Sequence, residues 1–166
     1  MRRLFRFSYG LFSRTRFAFS RIYWSVLLGK FDSSARIYPT AIIRAPRNVR
    51  IGKNVVINDF VHIWGAGSVE IGDETMIAAH SAIISQTHDT EALRHAKLYR
   101  ETLILESVNI GRNVWVGSNV SILPGVTIGD NAILAAGSVV NKSVPKNCIV
   151  AGVPARIIRD LQSSKA

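Results

Sequence analysis

The side chains of this 166-residue sequence that can exchange a proton near neutral pH are four histidines, His62, His80, His88 and His95, and one cysteine, Cys148. An imidazole with an ordinary pKa of about 6.5 is suited to general-base chemistry on a hydroxyl. His88, in the run SQTHDT, is the candidate of interest because the repeat pattern of the chain breaks there. His95, in ALRHAK, reads as a solvated loop residue. Cys148 has no second cysteine to pair with, the chain has no C-x-x-C, and the residue sits just before Ile149 and Val150 in the repeat, so it reads as a buried structural thiol. A chain without disulfides has the reducing cytoplasm as its default compartment.

The elements that must position these groups are announced by a period of six. Ile110, Val116, Ile122, Ile128, Leu134 and Val140 recur at that interval, Gly111, Gly117 and Gly129 follow three of them, and small or apolar residues stand two places before each. Six is neither the 3.6 of a helix nor the two of a hairpin strand; it is the period of a parallel β-helix, in which one repeat cannot bury its own apolar face and must stack on the next. The ladder is already present in Ile51, Ile57 and Ile63, and resumes at Ile71, Ile77 and Ile83 after a two-residue shift around Gly65 to Ser68. Between Ile83 and Ile110 the register breaks, which predicts an ejected loop from about His88 to Glu106. Structureless loops longer than about a dozen residues in a compact domain are usually functional.

Charge is concentrated at one end. The net charge is +10, and Arg2, Arg3, Arg6, Arg14, Arg16, Arg21 and Lys30 all precede the first acid, Asp32, interleaved with aromatic residues. Such a mixture suits an anionic membrane surface or an amphipathic cap on the open end of the β-helix, rather than nucleic acid. Its longest apolar run, Ile22 to Leu28, is far shorter than the roughly twenty residues of a membrane span. Arg14, Arg16 and Arg21 break any signal-peptide core. The expected organisation is a basic aromatic segment, helical, over 1–34; a β-helix over 35–153 with its loop at about 88–106; and a short C-terminal helix or tail over 154–166.

Residues 108–159, with NVWVGSNVSILPGVTIGDNAILAAGSVV, the Val144-Pro145 turn and AGVPARIIR, resemble the C-terminal coils of hexapeptide-repeat O-acetyltransferases, a superfamily that includes maltose, galactoside, antibiotic and surface-polysaccharide acetyltransferases. The resemblance reaches back to about residue 35. It implies an all-β, left-handed parallel β-helix, a homotrimer, and acetyl-CoA lying in the cleft between neighbouring helices. His88 stands where the family carries its catalytic histidine. There a base would take the proton of an attacking sugar hydroxyl, and no covalent enzyme intermediate is required.

The resemblance also assigns the remaining site residues. Asn58, in VINDF, matches the position whose side chain binds the acceptor sugar, although Ala66 stands where galactoside-type enzymes place an acceptor-binding Asp. His88 is followed by Asp89 rather than by the Pro of those enzymes, which is more like the enzymes that decorate capsule, O-antigen and exopolysaccharide. Trp115 and Ser118 match residues flanking the acyl channel, with the Ser118 backbone N–H as an oxyanion donor. Ala135, Ala136 and Gly137 keep the channel wall small, and Lys142, Arg156 and Arg159 match cations near the nucleotide phosphates. A related branch, the gamma-type carbonic anhydrases, binds zinc with three histidines, which makes His62, His80 and His88 the set to compare; His62 and His80 are eighteen apart, but the shift near Gly67 takes them out of register, so no metal is expected.

The reading is an acetyl-CoA-dependent O-acetyltransferase of a sugar in a surface glycan or its lipid-linked precursor, cytoplasmic and in peripheral contact with the membrane through residues 1–31, with no nucleic-acid partner. A sugar N-acetyltransferase and a noncatalytic β-helix scaffold are the alternatives that the sequence leaves open.

Overall fold

The computed structural model of the chain describes residues 19–162. After a helix over residues 19–27, α1, the chain winds through short strands, three to a coil. The first coil contains β1 (Lys30–Phe31), β2 (Arg36–Ile37) and β3 (Ile42–Arg44); the second β4 (Val49–Ile51), β5 (Val56–Ile57) and β6 (His62–Trp64); the third β7 (Val69–Ile71), β8 (Met76–Ile77) and β9 (Ala82–Ile84). An arm with β10 (Gln86–His88) and β11 (Leu103–Leu105) then leaves the coil. The fourth coil holds β12 (Val108–Ile110), β13 (Trp115–Val116) and β14 (Ser121–Ile122), and the fifth β15 (Thr127–Ile128), β16 (Ile133–Leu134) and β17 (Val139–Val140). A partial sixth carries β18 (Cys148–Ala151), and β19 (Arg156–Asp160) follows. Equivalent strands of successive coils pair in parallel, giving three sheets around a triangular core.

The six-residue ladder is the core. Ile37, Ile57, Ile77, Val116, Leu134 and Val150 stack on one sheet, and Ile43, Ile63, Ile83, Ile122 and Val140 on another, all buried. Each fully buried side chain of this size contributes about 1.5–3 kcal/mol through the hydrophobic effect. Coil length changes along the solenoid. Ile51 pairs with Ile71, twenty residues on, whereas Ile110 pairs with Ile128, eighteen on. The two extra residues fall at the corner between the third sheet and the first, where Pro46–Asn48 forms a 3-10 turn in one coil and Gly65 to Ser68 turns in the next. The arm leaves from the same corner one coil later. Its strands β10 and β11 pair antiparallel, and its root is tied by Glu106 N–H donating to the Ser85 carbonyl at 3.0 Å.

Between the first sheet and the second, each coil from the second onward turns through a left-handed residue: Asn54, Glu74, Asn113, Asn131 and Asn147, with φ between 52° and 62°. Asparagine tolerates this region better than other side chains. The amides also form a ladder, Asn113 donating to Asn131 at 2.8 Å and Asn131 to Asn147 at 2.7 Å.

The C-terminal helix expected over 154–166 is not what forms. Arg156–Asp160 is a strand that returns antiparallel along β18, and residues 163–166 lie outside the described residues. The last coil leaves an unpaired strand edge, and a hairpin through Gly152, at φ 100°, covers it with the β-branched pair Ile157 and Ile158. Cys148 is buried as expected, its thiol directed to the Pro145 carbonyl at 3.1 Å and its pKa pushed up by burial and, secondarily, by Asp160.

Replacing Asn131 by Ala removes both ladder hydrogen bonds and leaves the Cβ in left-handed backbone without the side-chain amide that eases that conformation. The expected loss is about 2 kcal/mol of stability, whereas Asn131→Gly, relieved of the backbone cost, loses about half as much. Denaturant midpoints of the two variants against the parent check the order.

Candidate active site

The outer face of the second sheet collects most of the residues singled out in the sequence. Opposite residues of paired strands share a face, so Met76, Trp115, Ile133 and Ile149 form one outward row. In the next row the backbone amides of Asn58, Ala78, Gly117 and Ala135 donate in turn to the Ile77, Val116, Leu134 and Val150 carbonyls at 2.8–3.0 Å. A groove of about 390 Å³ lies over these rows, lined by Trp115, Gly117, Ser118, Ile133, Ala135 and Ala136. Gly117 is needed here, since a Cβ would stand 2.7 Å from the Ala136 nitrogen.

Ser118 is half-buried at the edge of the groove. Its carbonyl accepts from Gly137 N–H at 2.9 Å, while its own N–H meets no acceptor among the described residues. An unbonded amide beside an apolar wall is a donor available to a ligand oxygen.

The hairpin that replaces the expected helix also aims the two arginines. Val150 pairs with Ile157 and Ile149 with Arg159, so Ile158 is an extra residue in the bulge. Arg156 and Arg159 consequently lie opposite Ala151 and Ile149, which are both partly exposed. In a regular strand two residues three apart would face opposite ways. The bulge brings both cations to the face of the groove, and Arg159 continues the row of Trp115, Ile133 and Ile149.

His88 and Lys142 are placed elsewhere. Both are exposed; Lys142 follows β17 on the way to Val144, which bridges to Ile128 of the first sheet, and His88 ends β10 opposite Leu103. They belong to the corner between the third and first sheets, one full side of the triangle from Ser118. Six residues at roughly 3.3 Å each make that side on the order of 15–20 Å. Asn58 lies on the groove row, half-buried, with its amide donating to the Ile77 carbonyl at 2.9 Å. Ala78 lines the groove without a role read from the sequence, and Gly117 does so beyond its place in the repeat; reading the ladder across coils rather than along the chain finds both.

A hexapeptide pattern described as bacterial transferase hexapeptide (six repeats) matches residues 107–142. Galactoside O-acetyltransferase of Escherichia coli K12 is 37% identical over 130 residues, 77% of this chain and 62% of its own length. A putative lipopolysaccharide biosynthesis O-acetyl transferase of the same strain is 41% identical over 112 residues, 64% of this chain and 57% of its own. A hexapeptide-repeat acetyltransferase of Vibrio cholerae superposes with TM-score 0.83 at 30% identity, covering 89% of this chain and 82% of that one. The chain belongs to the hexapeptide-repeat acetyltransferase family. The Vibrio protein in complex with acetyl-CoA superposes with TM-score 0.79 at 31% identity, over 84% of this chain and 75% of that one. The chain spans about three fifths of the length of the two E. coli relatives.

Among the described residues of this family member, no group of three or more His, Cys, Asp or Glu is arranged to hold a metal ion. His80, left-handed at φ 64°, stacks on Phe60 at 5.0 Å between the second and third sheets, whereas His62 lies in the third sheet itself. Their eighteen-residue spacing meets a twenty-residue coil. His62 has a different peculiarity. Its ring lies 5.3 Å from Trp64, over which the Arg44 guanidinium sits at 5.4 Å, and its buried Nε2 has no hydrogen-bond partner. Burial, and then the Arg44 charge, lower its pKa from the ordinary value.

Because the folded state resists a proton that the unfolded chain accepts, this contribution to stability is present above about pH 6.5 and is lost as pH falls below it. His62→Phe keeps the ring packing and removes the titration. Between pH 7.5 and pH 5 the melting temperature should therefore fall less in the variant than in the parent.

Proposed function

We propose that this chain is an O-acetyltransferase that moves acetyl from acetyl-CoA to a hydroxyl of a sugar in a surface glycan or its lipid-linked precursor. The supporting observation is the groove on the second sheet. It joins an unbonded amide at Ser118, a small wall at Gly117, Ala135 and Ala136, and an exit toward Arg156 and Arg159. A pantetheine arm needs such a narrow apolar passage, a thioester carbonyl needs the donor, and a nucleotide with several phosphate charges needs the cations. The acetyl-CoA complex of the Vibrio protein supports the donor, and the two O-acetyl transferases of E. coli support the acceptor atom.

In this reading His88 takes the proton of the sugar hydroxyl as its oxygen bonds to the thioester carbon. The Ser118 N–H holds the oxyanion of the tetrahedral intermediate. Collapse breaks the carbon–sulfur bond, and the imidazolium returns the proton to the departing thiolate, leaving an acetyl ester and CoA. His88 and Lys142 sit a triangle side away from Ser118, so the constellation closes when one chain presents its arm corner to the groove of a neighbour. This supports a homotrimer with shared sites. Asn58, which bonds Ile77 through its amide, would offer its carbonyl oxygen to the acceptor.

His88→Ala is expected to lower kcat/KM for acetyl transfer to a sugar acceptor by roughly 10²–10⁴-fold, the usual share of a general base, with the melting temperature unchanged because the residue is exposed on the arm. Full activity in a folded His88→Ala protein would remove the base from this scheme.

Changing Lys142, Arg156 and Arg159 together to Ala should raise KM for acetyl-CoA by about tenfold or more, given charge-assisted contacts of about 1.5–3 kcal/mol each. Acetyl-dephospho-CoA, which lacks one of those phosphates, should be affected less. Equal sensitivity of the two donors assigns the three cations to the general surface.

A further inference from the structure

Helix α1 has two apolar faces, and the coil accounts for one of them. Ser20 and Trp24, with Leu28 just beyond the helix, are buried against the first coil, and the Ser20 hydroxyl donates to the Ile37 carbonyl at 2.8 Å. Phe19, Ile22, Tyr23 and Val26 stand on the other face, at i, i+3, i+4 and i+7, and are 76%, 66%, 58% and 71% exposed. At 3.6 residues per turn these four span an arc of about 100°. A surface helix of a soluble domain carries polar residues opposite its core side; this one carries none on that arc. An apolar groove of about 680 Å³ between the helix and the first coil, reaching Pro39 and the half-exposed Ile42, extends the patch.

The charge around this patch points to its occupant. Twelve Lys and Arg and a single acid precede residue 59, against nine and ten from there to the C-terminus, so the whole excess of positive charge belongs to this end of the chain. Arg36, Arg44, Arg47 and Arg50, all on the first coils, are exposed. Arg2, Arg3, Arg6, Arg14 and Arg16 lie in the sequence directly before the helix, among aromatic residues. No helix among the described residues is long and apolar enough to cross a membrane.

We propose that this end of the solenoid docks on an anionic bilayer surface, with α1 in the interface plane and Phe19, Ile22, Tyr23 and Val26 at headgroup depth. A shallow apolar stripe flanked by cations is the composition that binds such a surface by apolar burial and charge attraction together. The helix thereby caps the coil with one face and holds the membrane with the other. The inference does not rest on the acyl-transfer reading, because docking is measured without donor or acceptor.

The test is partition of the full chain onto phosphatidylcholine vesicles with and without about a third phosphatidylglycerol, measured by co-sedimentation. Binding should require the anionic lipid and weaken between 0.1 M and 1 M salt, as the Debye length falls from about 10 Å to about 3 Å. The variant Phe19→Ser/Ile22→Ser/Val26→Ser should bind at least about tenfold more weakly with an unchanged melting temperature. Should that variant fail to fold, Val26→Trp serves instead, and should bind more tightly than the parent. Failure of the full chain to bind anionic vesicles overturns the proposal. So does binding that the available variant leaves unchanged. A drop in oligomeric state of the folded triple variant, read by light scattering without vesicles, assigns the stripe to a second copy of the chain and overturns it equally.

Discussion

Each coil of this protein can bury its inward row only against the coil beside it, and the hydrogen bonds between coils fix that stacking residue by residue. Ile57 must meet Ile77, and Ile77 must meet Val116, although twenty residues separate the first pair and thirty-nine the second. The strands tolerate no insertion, because a one-residue slip would turn every core side chain of the coil outward. Extra residues are admitted only at corners. One corner absorbs them repeatedly: two residues in each of the first two turns between the third sheet and the first, then the whole arm.

That constraint separates what holds the fold from what is free to act on a ligand. Inner rows and the asparagine ladder are committed to stacking. The outward row on the second sheet is not, and there Trp115 stands 51% exposed beside a wall reduced to Gly and Ala. Gly117 illustrates how the two roles meet. Its missing side chain allows the next coil to approach, and the same absence opens the groove in front of Ser118.

The core was legible in the sequence because a ladder with one residue in six leaves its period in the chain itself. Ile51 to Val140 can be placed from that period, and the two-residue shift near Gly67 and the break after Ile83 report their own corners. The C-terminal strand was not legible. Beyond Val150 no further coil enforces the period, so Arg156–Asp160 is decided by an unpaired edge that only the folded coil creates. The Arg44, Trp64 and His62 cluster escaped for a related reason: its members come from adjacent coils twenty residues apart, and the period says which residues face out without saying which of them touch. The resemblance to the acetyltransferases supplied the candidate residues, but it did not place His88 and Ser118 on different corners of one chain.

The two open ends of the solenoid are closed by different means, and the difference bears on what each end can do. At the C-terminal end an added strand covers the edge of the second sheet with backbone hydrogen bonds, which leaves its side chains free, and a bulge turns Arg156 and Arg159 to the side of the groove. At the N-terminal end a helix covers the first coil with side chains, Trp24 and Leu28, and must therefore present a second face to whatever lies outside. A strand used as a lid can extend the site on its own sheet; a helix used as a lid gains a new surface. Arg156 and Arg159 and the apolar stripe consequently stand at opposite ends of the molecule, and a chain held at its N-terminal end by a bilayer would keep the C-terminal part of its groove, with these two arginines, turned away from the lipid.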